Sequence, residues 1–257
     1  MPVEVTSKND LYDHLVRLGV RRGQNLIVHS NLASFGKING GAEAVYCILR
    51  SLTGPSGTIG APTFTFQLTQ RDVYSPEFTP CYQMGAFSSY LLKRGEAKRT
   101  LSPIHSYVFE GPLANELVRA DPTKSTGNGS VFDIIHPDFF LLMLGCDFQR
   151  GATFVHHVEA DIGVKYREWI QLPRRISVRG SEPFDIQVNY YSKKLKLPFS
   201  TNLSRLQEYC NKVNSCVSAQ THYGASSFIK LSALYDDTLH LLKKCPLSLI
   251  DPVGENW

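Results

Sequence analysis

The sequence predicts an α/β layered fold with a mostly parallel or mixed sheet, and three observations predict it. Strand-like and helix-like segments alternate along most of the chain. The run Phe139–Leu144 is continuously apolar, as in a strand covered on both faces. The 257 residues are 42% hydrophobic and 19% charged, enough for a large buried core and too apolar for a disordered chain.

Taken in order, Leu11, Leu15 and Leu18 share one helical face, with Ser7 or Asn9 as cap and Gly19 as stop. A strand follows at 26–29. After the turn-rich stretch 30–41, Val45, Ile48, Leu49 and Leu52 recur at helical spacing up to Gly54-Pro55, and a second strand is expected over 58–66. Residues 84–94 read as helix, 106–110 as extended, and 112–119 as helix with Pro112 in its first turn. Beyond the apolar strand, 153–162 carries a helical pattern. The alternation at 176–178 and 184–191 predicts an inserted β-hairpin or flap, placed near 165–196. A helix at 203–213, a strand at 228–231 and a helix at 234–242, stopped by Pro246, complete the chain. With neither internal repeat nor low-complexity linker, residues 1–257 read as one domain, the insert occupying about 165–200.

No apolar run approaches the length of a membrane span and no targeting segment is recognisable, so a cytoplasmic protein without membrane contact is expected. Six dispersed cysteines form no C-x-x-C pair and read as buried thiols. The formal net charge is +4, yet between Lys165 and Lys196 eight basic residues face three acidic ones. Such a surplus suits either a solvated face or an anionic partner. A non-catalytic nucleic-acid binder is the reading from another class. It is set aside because the segment has few stacking residues and no nucleic-acid-binding signature.

Two stretches could carry chemistry. On a helix, Thr153, His156 and Glu159 line one side, which places an imidazole beside a carboxylate that can fix its tautomer and stabilise its protonated form. Adjacent His156 and His157 point in different directions, and no zinc-binding spacing is present, so no metal is expected. The second stretch runs from His29 to Gly41, where small polar residues and glycines after a strand let backbone amides approach a ligand. It matches neither the dinucleotide-binding nor the P-loop pattern.

Together these residues resemble the aminoglycoside 3-N-acetyltransferase family, which is distinct from the GNAT acetyltransferases. The resemblance rests on four blocks in order. Leu18-Gly19-Val20 leads through Val28-His29-Ser30 and Phe35-Gly36 to Gly40-Gly41. Gly57-Thr58-Ile59 is followed by Pro62-Thr63-Phe64-Thr65. Ser75-Pro76 leads through Met84-Gly85 to Arg99-Thr100, Pro103, His105-Ser106 and Gly111-Pro112. Thr153, His156 and Glu159 precede Tyr166-Arg167. The resemblance implies a three-layer α/β/α fold around a mixed sheet and acetyl-CoA-dependent transfer to an amino group on a sugar ring. His156 would be the base and Glu159 its partner, with the Thr153 hydroxyl or backbone amides stabilising the oxyanion. The coenzyme would lie against His29, Ser30, Ser34, Phe35 and Gly36 on one side and Thr100, Ser102, Ser106 and Phe109 on the other. Thr63, Thr65 and Tyr74 would contact the acceptor. A homodimer is a further expectation.

The acceptor is read from charge. A basic insert repels a polycation and attracts a diphosphate. The expectation is therefore a nucleotide-linked 3-amino-3,6-dideoxyhexose, carried as a dTDP or UDP sugar, with Arg174, Arg175 or Arg179 on the diphosphate and Tyr190 on the base. The alternative is an aminoglycoside antibiotic as acceptor.

Overall fold

The computed structural model describes residues 5–220 and 225–253. In chain order its elements are β1 (Val5–Thr6), α1 (Lys8–Leu18), β2 (Asn25–Ser30), a short 3-10 turn (Leu32–Phe35), β3 (Lys37–Ile38), α2 (Gly41–Thr53), β4 (Ile59–Pro62), β5 (Val73–Tyr74), α3 (Gly85–Leu92), β6 (Lys98–Arg99) and β7 (Tyr107–Glu110). There follow α4 (Ala114–Leu117), α5 (Val131–Ile135), β8 (Phe139–Leu144), α6 (Phe148–Gly151), α7 (Val155–Ile162), β9 (Arg167–Ile176), β10 (Phe184–Lys193), β11 (Phe199–Thr201), α8 (Ser204–Lys212), β12 (Cys216–Gln220), β13 (Ala225–Lys230), α9 (Leu231–Lys244) and β14 (Ile250–Pro252).

Seven strands form the central sheet in the order β12-β13-β8-β2-β4-β7-β6. The inner trio β8-β2-β4 is parallel, and the outer pairings are antiparallel, so the sheet is mixed. Strand alternation splits the core in two. Leu26, Val28, Leu142 and Leu144 face Leu11, Leu15, Val45, Leu49, Phe87 and Leu91 of α1, α2 and α3. Ile27, Leu141 and Met143 face Phe132, Val155, Val158, Leu234 and Leu242 of α5, α7 and α9. This is the expected three-layer α/β/α arrangement.

Local chemistry sets the element ends that matter. Of the two cap candidates Ser7 is the one used: its hydroxyl accepts from the Asp10 amide, and the Asp10 carboxylate accepts from the Ser7 amide, closing a capping box. Gly19 then stops α1 in the left-handed region, at φ 98°. Gly145, at φ 71°, ends β8 where a Cβ would sit 2.6 Å from the Asn31 carbonyl. Only glycine lets the end of β8 press against the turn after β2, and these two strand ends form one wall of the site.

Several boundaries differ from expectation. The strand expected over 58–66 is β4 as far as Pro62; beyond it the chain runs on through Thr63 N–H to the Ser106 carbonyl and Thr65 N–H to the Ile104 carbonyl. The expected hairpin forms, but its first strand is Arg167–Ile176 rather than 176–178. Charged side chains at its exposed positions and Pro173 hide the alternation. Pro173 is tolerated because the third strand of this sheet, β5, pairs only with Arg175 and Ile176. The expected strand 228–231 is the end of β13, which begins earlier and stops at Lys230, and α9 starts at Leu231, earlier than the expected 234. Of the six thiols only Cys146, Cys210 and Cys216 are buried, whereas Cys47 on the outer side of α2 and Cys245 past α9 are exposed. Among the described residues no helix is long and apolar enough to cross a membrane.

Candidate active site

The helix α7 begins after the turn that contains Thr153, and the His156 amide donates to the Thr153 carbonyl at 3.1 Å. His156 and Glu159 then fall one turn apart on the same face, as their spacing predicts. His156 Nδ1 lies 2.7 Å from Glu159 Oε2. Gly163 ends α7 in the left-handed region and turns the chain back, which returns Tyr166 and Arg167 to the same carboxylate. Tyr166 donates its hydroxyl to Glu159 Oε1 at 2.7 Å, and Arg167 Nε sits 2.7 Å from Oε2.

Glu159 is fully buried, and burial by itself would raise its pKa. The facing His156, Arg167 and Tyr166 outweigh that and hold it below the ordinary carboxylate value. Tyr166 is pushed the other way, by burial and then by the facing carboxylate. An ionised Glu159 makes Nδ1 the protonated nitrogen of His156. Its Nε2 therefore presents a lone pair away from the carboxylate. Arg167 Nη2 lies 3.1 Å from the same Nδ1. A guanidinium only donates, so it contributes there as a neighbouring positive charge, not as a competing acceptor.

Two cavities meet at His156. The larger, of about 530 Å³, is walled by His29, Ser30 and Asn31 from the end of β2, by Gln83, Met84 and Gly85 at the start of α3, and by Cys146, Arg150 and Thr153. The smaller, of about 340 Å³, has Arg167, Tyr191 and Lys193 on its wall. His105, His156 and Tyr190 line both. The His156 imidazole is thus open to two cavities from different sides. The Ser30 hydroxyl is buried without a hydrogen-bond partner beside the larger cavity, a donor left over for a ligand. Gly85, at φ 85°, keeps that wall open, since a Cβ there would meet the Ser30 carbonyl at 3.0 Å. Among the described residues no cluster of histidine, cysteine or carboxylate side chains could hold a metal ion.

Of the residues singled out from the sequence, the structure brings together His29, Ser30, Thr153, His156 and Tyr190 on the cavity walls, with Glu159 directly behind His156. The others fall elsewhere. Ser34 donates to the Gly145 carbonyl at 2.8 Å, Phe35 packs in the core beneath α1 and α2, and Gly36 ends the 3-10 turn. Thr63 and Ser106 belong to a buried polar network around Arg99, whose Nε donates to Thr63 Oγ1 at 3.0 Å. Thr100 joins it through Tyr74, which donates to the Thr100 carbonyl at 2.6 Å under the Arg99 guanidinium. Thr65 is buried and donates to the Pro103 carbonyl at 2.8 Å; Ser102 is buried nearby, and Phe109 is a core residue of β7. Arg174 and Arg175 line a separate groove with Arg71, where Arg175 pairs with Asp185 at 3.3 Å, and Arg179 lies past the end of β9.

The structure also adds residues to the site. His105, Gln83, and Cys146 with Arg150 reach it from three separate segments, and sequence spacing gives no sign of that convergence. Gln83 holds a left-handed backbone, φ 61°, on the cavity wall. His157 is buried, stacks against Phe132 and accepts from the Gly127 amide, which makes it part of the packing.

A carboxylate-anchored imidazole stands at the junction of two cavities, set in a three-layer α/β/α frame. The sequence model of the aminoglycoside 3-N-acetyltransferase family matches residues 27–243, and the chain belongs to that family of acetyl-CoA-dependent N-acetyltransferases. It is 26% identical over 197 residues to an aminoglycoside N(3')-acetyltransferase-like protein, YokD, of Bacillus subtilis, covering 68% of this chain and 71% of that one. It is 29% identical over 179 residues to aminoglycoside N(3)-acetyltransferase III of Salmonella sp, covering 61% of each. Its fold superposes on AAC-IIIb in binary complex with coenzyme A with a TM-score of 0.80 at 17% identity, covering 94% and 97% of the two chains.

These findings overturn the nucleotide-linked amino sugar as acceptor. The family and the relatives named above are aminoglycoside acetyltransferases or their likenesses. The physical premise also gives way: of the arginines expected to meet a diphosphate, Arg174 and Arg175 line a groove apart from the cavities at His156.

Proposed function

We propose that this chain transfers the acetyl group of acetyl-CoA to the 3-amino group of an aminoglycoside. The observation that carries the reading is His156, backed by buried Glu159, at the meeting point of two cavities. The donor's thioester arm would enter the larger cavity along Ser30, Met84 and Gly85. The acceptor would approach from the Tyr190 side. An ammonium group must lose a proton before it can attack, and the Nε2 lone pair of His156 is placed to take it. Once that proton has passed on to water, the freed amine forms the C–N bond at the thioester carbonyl; His156 takes the second N–H proton as the C–S bond breaks, and the departing thiolate recovers that proton from His156. Glu159 offsets the charge on the ring while it carries the proton. Arg167, beside Nδ1, opposes that charge and favours its release. A neutral amine is already a good nucleophile, so no covalent enzyme intermediate is required.

The test is a panel of sisomicin, gentamicin and kanamycin with acetyl-CoA, following release of the coenzyme A thiol and mass spectrometry of the product. Thiol release that depends on an aminoglycoside and yields a singly acetylated product supports the reading. Bound acetyl-CoA with no turnover on any of the three overturns it.

A further inference from the structure

We infer that His105 is a second catalytic residue, a permanent hydrogen-bond acceptor that holds one N–H of the attacking amine while His156 removes another. The inference rests on the acetyl-transfer reading and adds a residue to it.

His105 lies between β6 and β7, and its Nδ1 is 2.6 Å from Ser125 Oγ and 3.2 Å from the Ser125 carbonyl oxygen. A carbonyl oxygen can only accept, so the tautomer that satisfies both contacts carries its proton on Nδ1. The lone pair is then on Nε2, and among the described residues no side chain or backbone group hydrogen-bonds to it. The ring has little freedom to turn. Phe64, Phe66 and Phe132 meet it edge to face, with centroids 5.0, 5.2 and 5.5 Å away. His105 lines both cavities together with His156 and Tyr190.

The two histidines differ in what surrounds them. His156 has a buried carboxylate at Nδ1 and can carry a proton. His105 has only a hydroxyl and a carbonyl there, and burial followed by the nearby positive potential of His156 pushes its pKa down to about 3. It stays neutral through the working range and keeps its lone pair. An attacking amine needs such a group. A primary ammonium presents three N–H bonds, and giving one to His156 leaves two to be satisfied where bulk water is displaced. Among the described residues, the walls of the two cavities present no carboxylate. An acceptor fixed beside the base also aligns the nitrogen lone pair that forms once the proton has left.

The experiment compares His105→Gln and His105→Asn with the wild type. The carbonyl of Gln can reach the place of Nε2, whereas Asn reaches only the place of Nδ1. The measurements are kcat, KM for the aminoglycoside, KM for acetyl-CoA and the melting temperature. His105→Asn should lower kcat/KM for the aminoglycoside about 10- to 100-fold, mostly through kcat, with KM for acetyl-CoA within about twofold. His105→Gln should recover about tenfold of that loss, whatever either variant does to the melting temperature. Unchanged kcat in both variants would show a packing role only and overturn the inference. Equal losses in both, accompanied by a loss of acetyl-CoA binding, would overturn it too, by showing a collapsed cleft. A wild-type chain inert on every aminoglycoside overturns the functional reading itself, and that result is read before any variant is made.

Discussion

Replacing Glu159 by Gln separates what its charge does for the fold from what it does for the base. The substitution keeps the shape and an acceptor for the Tyr166 hydroxyl but removes the negative charge that faces Arg167 at 2.7 Å. The Arg167 side chain is only 4% exposed, so it would be left as a buried cation without its partner. Stranding one member of a buried pair costs about 3–5 kcal/mol, which at roughly 2–4 °C per kcal/mol for a chain of this size lowers the melting temperature by roughly 6–20 °C. The same change leaves His156 without the charge that stabilises its protonated form, and kcat should fall about 100-fold or more. Adding Arg167→Met removes the stranded cation, so the double variant should regain most of the lost stability. It should regain none of the activity, since Nδ1 still lacks a carboxylate. Thermal unfolding by circular dichroism and thiol release from acetyl-CoA measure the two effects. A single variant as stable as the wild type, or a double variant that regains turnover, would refute the account of Glu159 as shared between Arg167 and His156.

His156→Ala should lower kcat by at least about a hundredfold with acetyl-CoA affinity nearly intact, while His157→Ala should lower the melting temperature and spare turnover of the remaining folded enzyme; the reverse pattern in kinetics and melts sinks the assignment of the base. Acetyl-CoA at about 100 times its Kd should stabilise the chain by about 2.7 kcal/mol, a shift that Gly85→Val should abolish by driving a Cβ against the Ser30 carbonyl; a wild type with no shift argues against the larger cavity as the donor site. Acid should weaken the fold before any carboxylate titrates. Burial lowers the pKa of His29 to about 4 and of His105 to about 3, from an ordinary value of 6.5. Below pH 6.5 the unfolded chain therefore binds protons that the folded chain refuses, and stability should fall with decreasing pH by about 1.4 kcal/mol per unit for each of the two histidines until their folded values are reached. Glu159, whose pKa is depressed, adds its own loss only below about 4.5. Urea midpoints at a series of pH values check this, and an unchanged midpoint between pH 7 and pH 5 would contradict it.

What could be read from the sequence was what is local. The helical face of Leu11, Leu15 and Leu18, the Gly19 stop, the buried run Phe139–Leu144 and the pairing of His156 with Glu159 each depend on residues within a few positions of one another. The short elements β1, β3, β5, β6 and β14 left no trace, because two or three residues cannot show a period, and all but β6 are held by a partner far along the chain. Beyond the dyad, His29, Ser30, Thr153 and Tyr190 were singled out from the sequence, and the rest of the site is of this second kind. His105 becomes part of it through Ser125 and three phenylalanines, contacts that only the tertiary fold creates.

The error about the acceptor has the same origin. Summing charge over 165–196 treats every cation as available to a ligand, yet Arg167 is drawn inward to Glu159 and Arg175 is paired with Asp185. Arg174 and Arg175 line a groove separate from the two cavities at His156. Charge counted along a chain describes the field felt at a distance, which falls away within a Debye length of about 8 Å at physiological salt. Recognition of an acceptor is decided within contact distance, by the few groups that line the cavity: Arg150 on one side, Arg167 and Lys193 on the other, and between them two histidines that differ in whether a carboxylate stands behind the ring. That difference, which no count of charges registers, would under the proposed acetyl transfer separate a group able to take the amine's proton from one able only to hold the amine in place.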